Sequence, residues 1–126
     1  MNDRAHRVIL VVEDDQHLRQ LYRFELELRG FAVESAADGF EALELLDEGP
    51  VPSLVVLDLA MPRVSGIGVA QEMRAHAETR RVPILIVTGT TEPIDESANT
   101  RVLRKPLDAN ALAVEVQRCL ARSVER

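Results

Sequence analysis

Cysteine is nearly missing from this sequence. Cys119 is the only one in 126 residues, so no internal disulfide is possible. Its reading is that of an ordinary helix residue near the C-terminus, not a nucleophile. Tryptophan is absent and aromatics total 3%, which requires an aliphatic core. No apolar run approaches the ~20 residues of a membrane span. The opening "MNDRAHR" has no hydrophobic signal region, so a cytoplasmic protein with no membrane contact is expected. There is no internal repeat, linker or low-complexity tract. A net charge of −6 and a pI near 5.1 argue against a nucleic-acid surface. What remains is an ordinary globular composition, 46% hydrophobic and 29% charged. A chain of this length forms one domain and buries roughly two thirds of its unfolded surface without staples.

Five short runs rich in Val, Ile and Leu recur: "RVILVV" (7–12), "GFAVESA" (30–36), "SLVVLD" (53–58), "VPILIVT" (82–88) and "RVLRK" (101–105). Each has strand length. Helical spacing separates most of them. From Gln16 to Arg29, Leu18, Leu21, Phe24/Glu25 and Leu28 return at three- and four-residue steps and are expected to face the core. Gly30 stops that helix. Ala42, Leu43, Leu45 and Leu46 mark a second helix over 39–47. Val69, Ala70 and Met73 mark a third over 66–76. Asp108 caps a last one, with Leu112, Val116, Cys119 and Leu120 inward. Its Glu115, Gln117, Arg118 and Arg122 are expected to form a solvated outer face. Strand–helix alternation predicts parallel strands in a three-layer α/β domain spanning 1–126.

Ligands in such sheets bind outside the carboxyl ends of the strands. The first run ends in Glu13, Asp14 and Asp15, the third in Asp58, the fourth in Thr88 and the fifth in Lys105–Pro106. Two charges about 4 Å apart repel by about 4 kcal/mol at an effective dielectric near 20. Clustered carboxylates therefore hold a proton or a cation. A hard divalent ion such as Mg²⁺, liganded by acids, water and a main-chain carbonyl, suits the set. Asp58 then has the chemistry of a nucleophile toward phosphorus. Thr88 and Lys105 would steady the phosphoryl oxygens. Singly, each feature has a plainer reading: solvated loop acids, a turn cap, a surface turn. Their joint placement on four strand ends carries the inference.

The segments "ILVVEDD", "LVVLDLAMPRVSG", "PILIVTG" and "LRKPLDANAL" resemble, in order, the receiver domain of two-component response regulators, the CheY-like family. The likeness runs from about Val8 to Leu120. It implies a doubly wound, flavodoxin-like fold with five parallel strands in the order 2-1-3-4-5. It also implies that Asp58 is the phospho-acceptor and that Glu13, Asp14, Asp58 and the Ala60 carbonyl hold Mg²⁺. Thr88 becomes the switch hydroxyl, and Lys105 the phosphate partner before an often-cis Pro106. Asp15 is not made a ligand. The implied partners are a sensor histidine kinase or histidine phosphotransfer protein and an unknown downstream protein. The protein would be no enzyme beyond its own aspartyl phosphorylation and dephosphorylation.

Two departures stand out. The family's aromatic three residues before the lysine is Val102 here, and a β-branched side chain has no comparable swing. From Thr88 to Lys105 is 17 positions, several fewer than the family carries. "TTEPIDESANT" must supply the fourth crossover with only Ile94 and Ala98 as apolar anchors. A one- or two-turn helix or an irregular mobile loop is expected, similar to a receiver subset with "TG" after the fourth strand. Ala60 and Thr90, which flank the hydrolytic water in receivers, offer little assistance to dephosphorylation.

Three rival readings fit the residues less well. An aspartyl-nucleophile phosphohydrolase lacks its second acid, because Ala60 stands two places after Asp58. A flavin-binding domain would not tolerate three acids after its first strand. A pseudo-receiver that binds partners unphosphorylated would not need every chemical position filled. The start at Met1 is expected of a stand-alone regulator or an N-terminal receiver.

Overall fold

A computed structural model describes residues 7–61, 64–91, 93–97 and 99–124, with side chains to Arg122. Met1–His6, Pro62, Arg63, Glu92, Ala98, Glu125 and Arg126 lie outside the described residues. So does the expected Ala98 anchor. The elements run β1 (Val8–Val12), α1 (Gln16–Leu28), β2 (Ala32–Ala36), α2 (Gly39–Glu48) and β3 (Leu54–Asp58). They continue with α3 (Gly66–Ala75), β4 (Ile84–Thr88), β5 (Thr100–Arg104) and α4 (Ala109–Val124). All strand pairings are parallel, and the sheet order is β2-β1-β3-β4-β5. The doubly wound expectation holds.

Alternation along the strands divides the interior into two cores. Ile9, Val11, Leu54, Val56, Leu85 and Val87 face α1 and α4. Leu10, Val12, Val55, Leu57, Ile84 and Ile86 face α2 and α3. The central strands β3 and β4 are buried at every position, as unbroken apolar runs require.

Local chemistry sets the helix ends. Asp15, Asp38, Ser65 and Asp108 each accept from the backbone N–H three residues on, at 2.7 to 3.2 Å. After α1, Gly30 adopts φ 93°. Gly30 N–H donates to Glu27 O, and Phe31 N–H to Leu26 O. Only glycine takes that left-handed turn without strain, which is why the helix stops there.

Two sequence expectations are corrected. In α1, Leu21, Phe24 and Leu28 face outward, 42, 60 and 66% exposed, and the core instead receives Tyr22 and Leu26, with Leu18 packed beside them. The helix is apolar over a wider arc than it buries, so leucine spacing selected the wrong edge. In α4, Glu115 is buried and Gln117 only half-exposed. Glu115 follows Leu112 by three residues and precedes Cys119 by four, which sets it on the rim of the packed face. Gln117 accepts from Arg29, which caps the C-terminal end of α1. Arg118 and Arg122 are exposed as expected.

The fourth crossover has no helix among the described residues. Ile94 packs on the α2–α3 core. Ser97 and Thr100 form an isolated antiparallel bridge. Glu96 accepts from the outward N–H of Val102, at 2.9 Å, which satisfies a donor on the edge strand β5. Arg74 of α3 donates to the carbonyls of Arg80, Val82 and Asn99 and to the Thr100 hydroxyl. Too few apolar residues are present for an amphipathic face, and these polar ties hold the segment in place of one.

Candidate functional site

The strand order reverses between β1 and β3, and their carboxyl ends open the crevice where such sheets bind ligands. Glu13 and Asp14 leave β1 there, and Asp58 ends β3. Their carboxylate oxygens lie within 4.8 Å of one another. Glu13 and Asp58 are buried, at 2 and 5% exposure, while Asp14 is exposed. Lys105, just past β5, extends its Nζ to 3.0 Å from Glu13 Oε1 and 3.8 Å from Asp58 Oδ2. Thr88, at the end of β4, is also buried. The crevice thus gathers Glu13, Asp14, Asp58 and Lys105, with Thr88 on the adjoining strand end.

Each group is held from behind. Glu13 Oε2 accepts from Asp15 N–H at 3.1 Å, and Arg19 donates to the Glu13 carbonyl at 2.8 Å. Asp15 itself caps α1, in keeping with its exclusion from the ligand set. Asp58 Oδ1 accepts from Ala60 N–H at 3.3 Å. Thr88 Oγ1 accepts from Thr90 N–H at 3.2 Å, leaving its own proton free to donate elsewhere. Lys105 N–H donates to the Thr88 carbonyl at 2.7 Å, and the Lys105–Pro106 bond is cis.

Gly66 is a positioning residue that sequence reading overlooked. A Cβ there would overlap the Asp58 carbonyl oxygen and approach Leu59 Cα to 2.7 Å. The first turn of α3 therefore sits directly on the Asp58 backbone, and only glycine permits it. The one signal in the sequence was a glycine opening a helix where a better helix former would be expected.

Electrostatics follow from the crowding. Burial, then the Glu13 charge, pushes Asp58 from an ordinary 3.8 up to about 7, against the opposing pull of Lys105 and the Ala60 N–H. For Lys105, burial works downward, but the Glu13 hydrogen bond and the charges of Glu13 and Asp58 outweigh it and raise the ammonium's pKa. Burial also raises the Tyr22 phenol, within reach of the Lys105, Glu13 and Asp58 charges. Two buried acids, a third at the rim and one ammonium leave an excess of negative charge. All-oxygen donors of that kind fit a hard divalent cation. The cation would displace the proton that Asp58, raised to about 7, otherwise holds in part at neutral pH.

Residues 9–117 match the family model of the response regulator receiver domain. The chain belongs to that family. It is a signalling module of the two-component type, with the CheY-like fold. The receiver is 36% identical over 120 residues to the transcriptional regulatory protein CpxR homolog of Haemophilus influenzae, covering 91% of this chain and 51% of that protein. It is 28% identical to the chemotaxis response regulator CheY4 of Vibrio cholerae, with a TM-score of 0.80 over 90% of this chain and 98% of the other. The response regulator TrrA of Thermotoga maritima, solved in complex with Mg(2+)-BeF, is 29% identical, with a TM-score of 0.77 over 90% of this chain and 98% of that one. The receiver spans about half the length of the curated relatives it matches. Among the described residues, no helix is long and apolar enough to cross a membrane.

Proposed function

We propose that the chain, residues 1–126, is one receiver domain that accepts a phosphoryl group on Asp58 from a phosphorylated histidine of a sensor kinase or phosphotransfer protein. The observation that carries this reading is the Glu13–Asp14–Asp58 cluster with Lys105 bridging its two buried members. An ionised Asp58 oxygen attacks phosphorus, an O–P bond forms as the N–P bond breaks, and the imidazole leaves with the bonding pair. Glu13, Asp14, Asp58 and the Ala60 carbonyl are the ligands assigned to Mg²⁺, which supplies neutralisation of the phosphoryl oxygens when bound. Lys105 holds a second positive charge beside the acceptor, and Thr88 donates its free proton to a phosphoryl oxygen. The chain's own chemistry ends with loss of that phosphate to water. Ala60 offers no side-chain hydrogen bond to such a water.

A protein donor must bring its histidine to the crevice, so it covers the adjacent surface. Helix α1 starts at the crevice with Asp15 as its cap, and its outward stripe of Leu21, Phe24 and Leu28 supports a helical donor. Phosphorylation adds charge at the end of β3. Val102 provides no aromatic swing. Thr88 moving toward the phosphate would break its bond from Thr90 N–H, and Thr90 O is in turn tied to Arg104 at 2.7 Å. The readout is therefore assigned to the order of the crossover 89–99, a shift in its population of states, sensed by a downstream protein.

Incubation with acetyl phosphate and Mg²⁺ tests the reading. The expected result is a single phosphoryl adduct on Asp58, absent from Asp58→Asn and absent without Mg²⁺. Steady release of phosphate from external esters would make it a phosphohydrolase, and no adduct would make it a pseudo-receiver. Amide exchange over Gly89–Thr100 should change on phosphorylation, and unchanged protection rules out the crossover readout.

A further inference from the structure

Another cleft lies away from Asp58. A groove of ≈ 660 Å³ runs between α2 and α3. Its apolar lining comes from Phe40, Leu43, Leu46, Val51 and Met73. Phe40 and Val51 are large hydrophobics left about half exposed to water. Its acidic lining comes from Glu44, Asp47, Glu48, Glu72 and Glu78, and no lysine or arginine lines it among the described residues. Five carboxylates on one groove stand against a net charge of −6 for the whole chain. The last turn of α2 also lacks any basic residue. Asp47 and Glu48 therefore sit at the negative end of the helix dipole, an arrangement that favours a cation nearby. His76 is paired with Glu72 at 3.0 Å and neutralises one acid at most.

We propose that this groove is a docking site for a cationic amphipathic helix of a partner protein, apolar side inward and Lys or Arg along its flanks. A groove between two helices takes a third by ridge-and-groove packing, and the acidic rim supplies the charge complement. A second copy of this chain is a poor occupant, because a two-fold contact would set one acidic rim against the other. Apart from Phe40 in the first turn of α2, the lining comes from the later parts of α2 and α3 and the residues that follow them, at the end of the sheet opposite the carboxyl ends of the strands. A helix seated there leaves the Asp58 crevice open, so binding does not depend on the phosphorylation proposal.

The probe is a fluorescein-labelled 14-residue Leu/Lys peptide in amphipathic order, with a scrambled peptide of the same composition as control, read by anisotropy on the full chain. The amphipathic peptide should bind wild type and Asp58→Asn alike, and the scrambled one about tenfold more weakly or worse. Glu44→Lys/Asp47→Lys should weaken binding at least about tenfold while the thermal midpoint stays level or rises, since it removes acids from the negative half of α2. Phe40→Ser should weaken it too, and both variants should still take phosphate on Asp58 if wild type does. The same double reversal on α1, Glu25→Lys/Glu27→Lys, should leave binding intact. Equal binding of the scrambled peptide, retention by both groove variants, or loss on the α1 reversal overturns the proposal. So does a concentration-dependent dimer that Phe40→Ser abolishes, which would give the groove to a second copy.

Discussion

Asp58→Asn should stabilise the fold in the absence of divalent ions, and the gain should depend on pH in a defined window. The native carboxyl is raised from 3.8 to about 7 by burial and by Glu13. A carboxyl raised in the folded state is protonated there while the unfolded chain has already ionised. Its stabilising contribution is complete below pH about 4, falls through the interval between the two pKa values, and is gone above about 7. A shift of about three units at ~1.4 kcal/mol each gives a ceiling near 4 kcal/mol. Asp58 shares its environment with Glu13 and Lys105, so about half of that, ~2 kcal/mol, is the working figure. Urea unfolding of both proteins with EDTA at pH 4, 6 and 8 measures it, provided the slopes agree. The two should coincide at pH 4, and Asp58→Asn should lead by about 2 kcal/mol at pH 8. Adding Mg²⁺ at pH 8 should narrow the gap, since a ligand at ten times its Kd contributes about 1.4 kcal/mol to the form that binds it. A gap that is flat with pH, or Mg²⁺ stabilising both proteins equally, refutes the electrostatic account of the cluster.

Three further outcomes follow from named contacts. Lys105→Met leaves the buried Glu13 without its 3.0 Å partner, and should cost about 2 kcal/mol without metal, below the 3–5 kcal/mol of a fully buried pair because the lysine is partly exposed. The same variant should bind Mg²⁺ several-fold more tightly, since one competing cation is gone; Tyr22, the only tyrosine in a chain without tryptophan, is the fluorescent reporter. Gly66→Ala forces the first turn of α3 off the Asp58 backbone and should cost about 1–3 kcal/mol in urea, with slower acyl-phosphate formation than in wild type. Arg74→Ala removes the donor from the Arg80 and Val82 carbonyls and one of two donors from Asn99 O, which keeps its bond from Ile84 N–H, and should cost about 1–2 kcal/mol with faster amide exchange at Thr100.

The central strands were legible because burial on both faces leaves continuous Val/Ile/Leu runs, and two helix ends because Gly30 lacks the Cβ that would strain a left-handed turn and Asp108 carries a capping carboxylate; the caps Asp15, Asp38 and Ser65 emerged only with the structure. The face of α1 was not legible. Its sequence has an apolar line at Leu21, Phe24 and Leu28 and another at Leu18, Tyr22 and Leu26, and periodicity alone does not rank them. Packing against α4 decides the matter, and that is a property of the fold. Glu115 misled for a related reason: charge suggests solvent, but a residue on the rim of a packed face is covered by its neighbours while its carboxylate still reaches Arg118 at 3.5 Å.

The crevice was readable for a topological reason. In a parallel sheet every carboxyl end opens on the same side, so residues that end strands gather at one edge whatever their separation in sequence. Glu13 and Lys105 are 92 positions apart and 3.0 Å apart in space. The α2–α3 groove has no such rule behind it. Glu44, Asp47 and Glu48 follow ordinary surface spacing on α2, while Glu72 and Glu78 belong to a different crossover, and only the packing of α2 beside α3 joins them. Sequence thus exposes what the strands bring together and conceals what the helices do. The second surface of this receiver is accordingly assigned from structure and charge.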